Sequence, residues 1–200
     1  MIVKTKDYKC RICGCSEISH NYSNYECSGC SVIFRSVSAF SLNRQLKVQY
    51  LPEYDLEKWG ELNYAKLYDS GIDLRACMNG PKELEPYRDS EWGKYKTIVS
   101  AGIKIEPSHN DMDIKIYPRS GLGFKYDIRL SNSTGIVDSQ FRGEVKMAIV
   151  NMGSEPYIIH PGDRIAQMVV EKRLDVEVVK VDQLGETERG EGGFGSTGKN

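Results

Sequence analysis

Two sets of residues in this 200-residue chain have the types and spacing of chemistry. The first is Cys10, Cys13, Cys27 and Cys30, which form two C-x-x-C pairs. Thiolates separated by two residues clasp one ion from a tight turn, and two such turns complete the four-sulfur shell that structural Zn2+ prefers. Gly14 and Gly29 ease the backbone turn at each pair. Cys15 and His20 are spare candidates for the shell, with bystanders the favoured reading. The second set is five segments that combine Gly with Asp, Arg, Ser or Gln: residues 70–75, 118–123, 132–143, 161–167 and 189–198. Arg119, Ser120 and Gly121 offer a cation, a hydroxyl and an unobstructed amide at one turn, the makings of a phosphate seat. Arg189 with Ser196 and Thr197 repeats that recipe in a glycine-rich tail. Any one segment alone is an ordinary turn or a solvated strand end; their number and order point to an anionic ligand. A P-loop is excluded, because Asn200 follows Gly198 and Lys199 where Ser or Thr is required.

The elements that must position these residues are short. Runs rich in β-branched residues recur between turn signals: 46–51, 96–100, 103–105, 112–117, 144–150, 157–159, 165–170 and 176–181. They predict an all-β sandwich or jelly roll, with one helical turn somewhere in residues 56–67. Composition, with 40% hydrophobic and 28% charged residues, is that of an ordinary globular chain rather than a disordered or fibrous one. No window approaches the roughly 18 uncharged apolar residues that a bilayer helix needs, so no membrane role is expected. Residues 1–10 lack the apolar core of a signal peptide, so a cytosolic location is expected, in a bacterium or a virus-infected cell. Five of the six cysteines fall between Cys10 and Cys30, as metal ligands cluster and disulfide frameworks do not. Three units are expected: a zinc-ribbon-like module over 1–40, a β core over 41–187, and a glycine-rich tail over 188–200 that is mobile unless something orders it. The net charge of −1 divides into +4 over residues 1–50 and −5 beyond. Four thiolates and Zn2+ would lower the first figure to about +2, too little to predict DNA binding, which rests on many phosphate contacts. A contact of the N-terminal module with a protein or nucleic acid is therefore the weaker expectation beside a structural role.

In order and spacing the five segments resemble the five motifs of trimeric deoxyuridine triphosphatases (dUTPases). The resemblance runs from about Leu46 to Gly198 and is carried above all by residues 135–144, GIVDSQFRGE, and by the RGEGGFGSTG tail. It implies a homotrimeric jelly roll of the β-clip type that hydrolyses dUTP to dUMP and pyrophosphate, keeping uracil out of DNA and supplying dUMP for dTMP synthesis. Mg2+ would ride on the triphosphate, and each site would draw on three subunits. Asp138 matches the catalytic carboxylate that activates a water for in-line attack on the α-phosphorus. Asp73 matches the aspartate that contacts Mg2+ through water. Arg119, Ser120, Gly121 and Gln167 match phosphate-binding positions. Asn132, Ile136, Val137 and Lys146 match the hairpin that reads uracil, largely through backbone groups. Arg189, Phe194, Ser196 and Thr197 match the tail, whose Phe ring covers uracil while the other three clamp the β- and γ-phosphates. Phe141 stands where the family usually has a Tyr that packs on deoxyribose, and Ser70 where Ala is common. Two rivals share the fold: a dCTP deaminase, which uses a different glutamate, and a nucleotide-gated regulatory binding protein.

Overall fold

The computed structural model describes the chain apart from residues 1, 5–7, 11–14, 16, 22–23, 28, 30–32, 35–39, 43, 67, 89–90, 92 and 194–200; in the strands before residue 43 it describes the backbone alone. Cys13 and Cys30, the side chains of Cys10 and Cys27, and the tail residues Phe194, Ser196 and Thr197 thus lie outside the described residues. Six strands precede residue 43: β1 (Ile2–Lys4), β2 (Tyr8–Cys10), β3 (Glu17–Asn21), β4 (Asn24–Cys27), β5 (Ile33–Phe34) and β6 (Phe40–Leu42). They pair among themselves in the orders β1-β3-β4-β5 and β2-β6. Next come β7 (Leu46–Tyr50), α1 (Leu56–Trp59), β8 (Ile72–Arg75), β9 (Lys82–Leu84), β10 (Lys96–Pro107) and β11 (Met112–Pro118). The remaining elements are α2 (Ser120–Tyr126), β12 (Ile128–Leu130), β13 (Gly135–Val137), β14 (Glu144–Asn151), β15 (Tyr157–Ile159) and β16 (Arg164–Lys172).

Two antiparallel four-stranded sheets make the core, in the orders β12-β14-β10-β7 and β13-β11-β16-β8, with β15 and β9 forming a separate pair. Alternation along the strands decides what faces inward. On β11, Met112, Ile114 and Ile116 are buried while Asp113, Lys115 and Tyr117 turn outward. Ile103, Met147 and Ile149 from the first sheet meet Leu74, Ile114 and Met168 from the second in one apolar cluster, all fully or nearly fully buried. Most expected strands are present, and 96–100 and 103–105 join into the single strand β10, bent where its register against β14 shifts between Ser100 and Lys104. Gly102 occupies that bend at φ +67°, a conformation that favours glycine; a Cβ there would lie 2.6 Å from Cys77 Sγ.

One expected strand is absent. Residues 176–181 form no strand; Val176, Val178, Val179 and Val181 are 54–92% exposed. The residue types suit a strand, but a ladder needs a partner and none of the described strands pairs with this stretch.

Two polar contacts tie the loops to the sheets. Asn151 is fully buried on β14; its amide donates to Leu84 O at 2.9 Å and Glu155 O at 2.8 Å, and its carbonyl accepts from the Gly153 amide at 2.9 Å. Arg44 grips Asp111 with two bonds of 2.6 and 2.7 Å, fastening the start of the core to the β10–β11 turn. Asn151→Ala is expected to cost about 2–3 kcal/mol of stability, read as a lower denaturant midpoint at unchanged slope, since one buried and two part-buried hydrogen bonds are lost. The Arg44 guanidinium holds the Asp111 carboxyl down at about 2. A folded pKa below the unfolded one contributes stability that is complete above the ordinary carboxylate range and is lost as pH falls through the folded value. The melting-temperature gap between wild type and Asp111→Asn is therefore expected to be full near neutrality, to narrow as pH falls below about 4 and to close at about 2, as a thermal melt at stepped pH would read.

Candidate active site

The phosphate-seat residues come together at one end of the second sheet. Asp73 on β8 lies opposite Gln167 on β16, and Gln167 lies opposite Tyr117 on β11, so β16 carries its glutamine between the first two segments. Gln167 donates from Nε2 to Pro118 O at 3.0 Å, which aligns it with the turn where β11 gives way to α2. Gly71 lets that side chain lie close, because a Cβ at 71 would sit 2.6 Å from Gln167 Oε1. Arg119 caps the start of α2 in extended backbone, with Ser120 and Gly121 exposed on its first turn. The first amides of a helix have no acceptor within it and are free to face an anion.

Three charged groups close a ring there. Arg119 Nε bonds Asp73 Oδ1 at 2.7 Å, Arg164 Nη1 bonds Asp73 Oδ2 at 3.1 Å, and Arg119 Nη1 donates to the Arg164 carbonyl at 3.0 Å. The turn before Arg164 is pinned to the end of β8: Gly162 N donates to Ala76 O, Ala76 N to Asp163 O and Arg75 Nη1 to Gly162 O, each at 2.8 Å. Two guanidiniums against one carboxylate leave the ring a net cation, suited to a polyphosphate. Arg164 belongs to a segment singled out by sequence but carried no assigned role; its ionic link to Asp73 spans 91 residues, beyond the reach of local pattern.

The second group of site residues lies elsewhere. Asn132 sits exposed in the turn after β12, and Ile136 is 70% exposed on β13. Asp138 follows Val137 directly and is exposed; its carbonyl accepts from the Phe141 amide at 2.9 Å, closing a tight turn. Asp138 and Phe141 line a cavity together with Asn110 and Arg173. Lys146 is on β14, its Nζ 3.0 Å from Glu144 Oε2. The Ser100 hydroxyl and then Lys146 hold the Glu144 carboxyl below the usual carboxylate range. Arg189 closes a turn of its own, donating to Gly192 O at 2.8 Å.

Register measures the separation of the two groups. Val137 pairs with Ile114 near one end of β11, whereas Arg119 follows the other end. Asp138 comes level with about Asp113, six positions from Arg119, or roughly 20 Å at about 3.3 Å per residue. One copy of the chain therefore does not bring Asp138 to the phosphate seat.

Among the described residues no three His, Cys, Asp or Glu side chains converge as a ready metal cage. Asp73 nevertheless suits a hydrated Mg2+: its oxygens accept one bond each from arginine, a carboxylate has about four lone-pair sites, and Mg2+ keeps much of its water shell.

A model of the dUTPase family matches residues 59–198. Deoxyuridine 5'-triphosphate nucleotidohydrolase of Coxiella burnetii is 42% identical over 137 residues, covering 68% of this chain and 86% of that protein. Its counterpart from Neorickettsia sennetsu is 43% identical over 135 residues, covering 68% and 85%. Among solved structures, the dUTPase of Staphylococcus bacteriophage 80alpha with dUpNHpp superimposes at a TM-score of 0.63 and 22% identity, over 77% of this chain and 98% of that one. The phage phi11 dUTPase, described with a structural Mg(II) ion, matches at a TM-score of 0.56 and 19% identity, over 70% and 97%. At those identities the structural matches speak for the fold alone.

Proposed function

Because this chain belongs to the dUTPase family, we propose that it hydrolyses dUTP to dUMP and pyrophosphate on a homotrimer whose sites are each shared between subunits. The observation that carries the shared site is the roughly 20 Å of strand between Asp138 and Arg119, which at about 3.3 Å per residue no rotamer spans. A second copy supplies one group to the other. The exposed valines of residues 176–181 support the same assembly, since an apolar arm that pairs with none of the described strands of its own chain gains a partner on a neighbour.

In this reading the Asp138 carboxylate takes a proton from a water as the water oxygen bonds to the α-phosphorus; the α–β bridging oxygen leaves with pyrophosphate. Arg119, Ser120, Gly121 and Gln167 offer donors to the charge that redistributes over the phosphates. Bound Mg2+ would supply charge neutralisation on the triphosphate, with Asp73 holding waters of its shell. The fork between β13 and β14 supports a base-binding role for Asn132, Ile136, Val137 and Lys146: β13 pairs with β11 while β14 pairs with β10 and β12, so the two arms diverge and expose backbone groups. Phe141 packs the deoxyribose. Arg189, Phe194, Ser196 and Thr197 close over the nucleotide and exclude water.

For residues 1–40 we propose a Zn2+ held by Cys10, Cys13, Cys27 and Cys30. Support comes from the spacing and from the backbone, in which Cys10 ends β2 and Cys27 ends β4, so the first cysteine of each pair stands at a strand end.

Pyrophosphate release measured with Mg2+ from dUTP, dCTP, dTTP and UTP tests the activity, and strong preference for dUTP is expected. Asp138→Asn is expected to bind dUTP near normally while turnover collapses; retained turnover would remove Asp138 from its role. Chelation is expected to release about one Zn2+ per chain and to loosen the N-terminal module while dUTP hydrolysis persists, read by a colorimetric zinc indicator beside the activity assay.

A further inference from the structure

The loop that carries Asp138 and Phe141 is fastened by a residue outside every motif role assigned above. Arg142 Nη1 donates to two carbonyls of its own loop, Ser139 O at 2.7 Å and Phe141 O at 2.9 Å. Its Nε lies 3.9 Å from Glu106 Oε2 on β10, and its side chain lies in a groove with Lys47, Val48, Gln49, Lys104 and Ile105. Glu106 is itself held by Lys47 at 2.7 Å. Two residues later Glu144 bonds the Ser100 hydroxyl, which also accepts from the Gly102 amide at 2.8 Å inside the β10 bulge. Side chains 142 and 144 thus anchor one end of loop 138–143 to the first sheet.

That fastening bears directly on the reacting groups. The Phe141 amide bonds Asp138 O, and Arg142 holds the Phe141 carbonyl, so the two residues move as one turn. The Phe141 ring lies across Gly143, where a Cβ would run into it. We propose that Arg142 is a positioning residue for dUTP hydrolysis: by tying the carbonyls of Ser139 and Phe141 to a guanidinium braced on Glu106, it aims the Asp138 carboxylate and sets the ring that packs the sugar. The inference rests on the reading of Asp138 as the base. Exposed carbonyls can bond water instead, so the clip adds little to folding; its effect is on geometry, where a displacement of about 1 Å can cost roughly a hundredfold in rate.

The test compares wild type, Arg142→Met, Arg142→Lys and Asp138→Asn as full-length protein, recording melting temperature, solution size, kcat and KM for dUTP, and the dUTP/UTP ratio of kcat/KM. Arg142→Met is expected to keep its melting temperature and size, to lose roughly ten- to a hundredfold in kcat with KM within about twofold, and to discriminate less against UTP. Arg142→Lys, which keeps charge and stem but has no planar fork, is expected to lose kcat as well; it decides the matter should the Met variant fail to fold. Wild-type kcat and selectivity in the Arg142 variants, or a raised KM at unchanged kcat, would overturn the proposal while Asp138→Asn stays inactive. An active Asp138→Asn would overturn the reading of the site itself.

Discussion

The pairing of β16 with β8 on one side and β11 on the other is the constraint on which the proposed phosphate seat depends. Asp73, Gln167 and Tyr117 stand in one cross-strand row, and side chains alternate between faces with a period of two. A slip of one residue in β16 would bury Gln167 and turn Met168 outward, destroying the seat and the core together. The apolar cluster around Leu74, Ile114 and Met168 resists that slip, because those fully buried side chains share the strands that carry the polar ones. Burial on one face therefore fixes chemistry on the other.

Charge in the seat is arranged before any ligand arrives. Asp73 holds Arg119 and Arg164 against their mutual repulsion, and the Arg164 carbonyl takes a further donor of Arg119. The guanidinium of Arg119 is pre-set at the start of α2, so an anion bound there would cost it little side-chain entropy. The pinned turn at 160–163 passes the rigidity of β8 to Arg164.

The hairpin follows another logic. Its two arms belong to different sheets, so the intervening loop bridges a gap that backbone pairing does not close. Side chains supply the rigidity there: Arg142 inside the loop, and Glu144 against the β10 bulge. Glu144 meets Ser100 where β10 bends, with Gly102 at the bend over Cys77, and Glu106 of the same strand lies against Arg142.

By itself the sequence determined the all-β class, most strand positions and the five polar segments, because alternation, turn residues and motif spacing are local signals. It also marked the paired cysteines, although their side chains lie outside the described residues. Tertiary structure decided what local signals do not encode. Residues 176–181 have the composition of a strand and are not one, since a strand exists only where a second edge meets it. Arg164 stands out only once β16 brings it to Asp73, and Arg142 only once its loop folds back on itself. The distance between Asp138 and Arg119 is likewise a property of register along β11, which no local pattern in the sequence encodes.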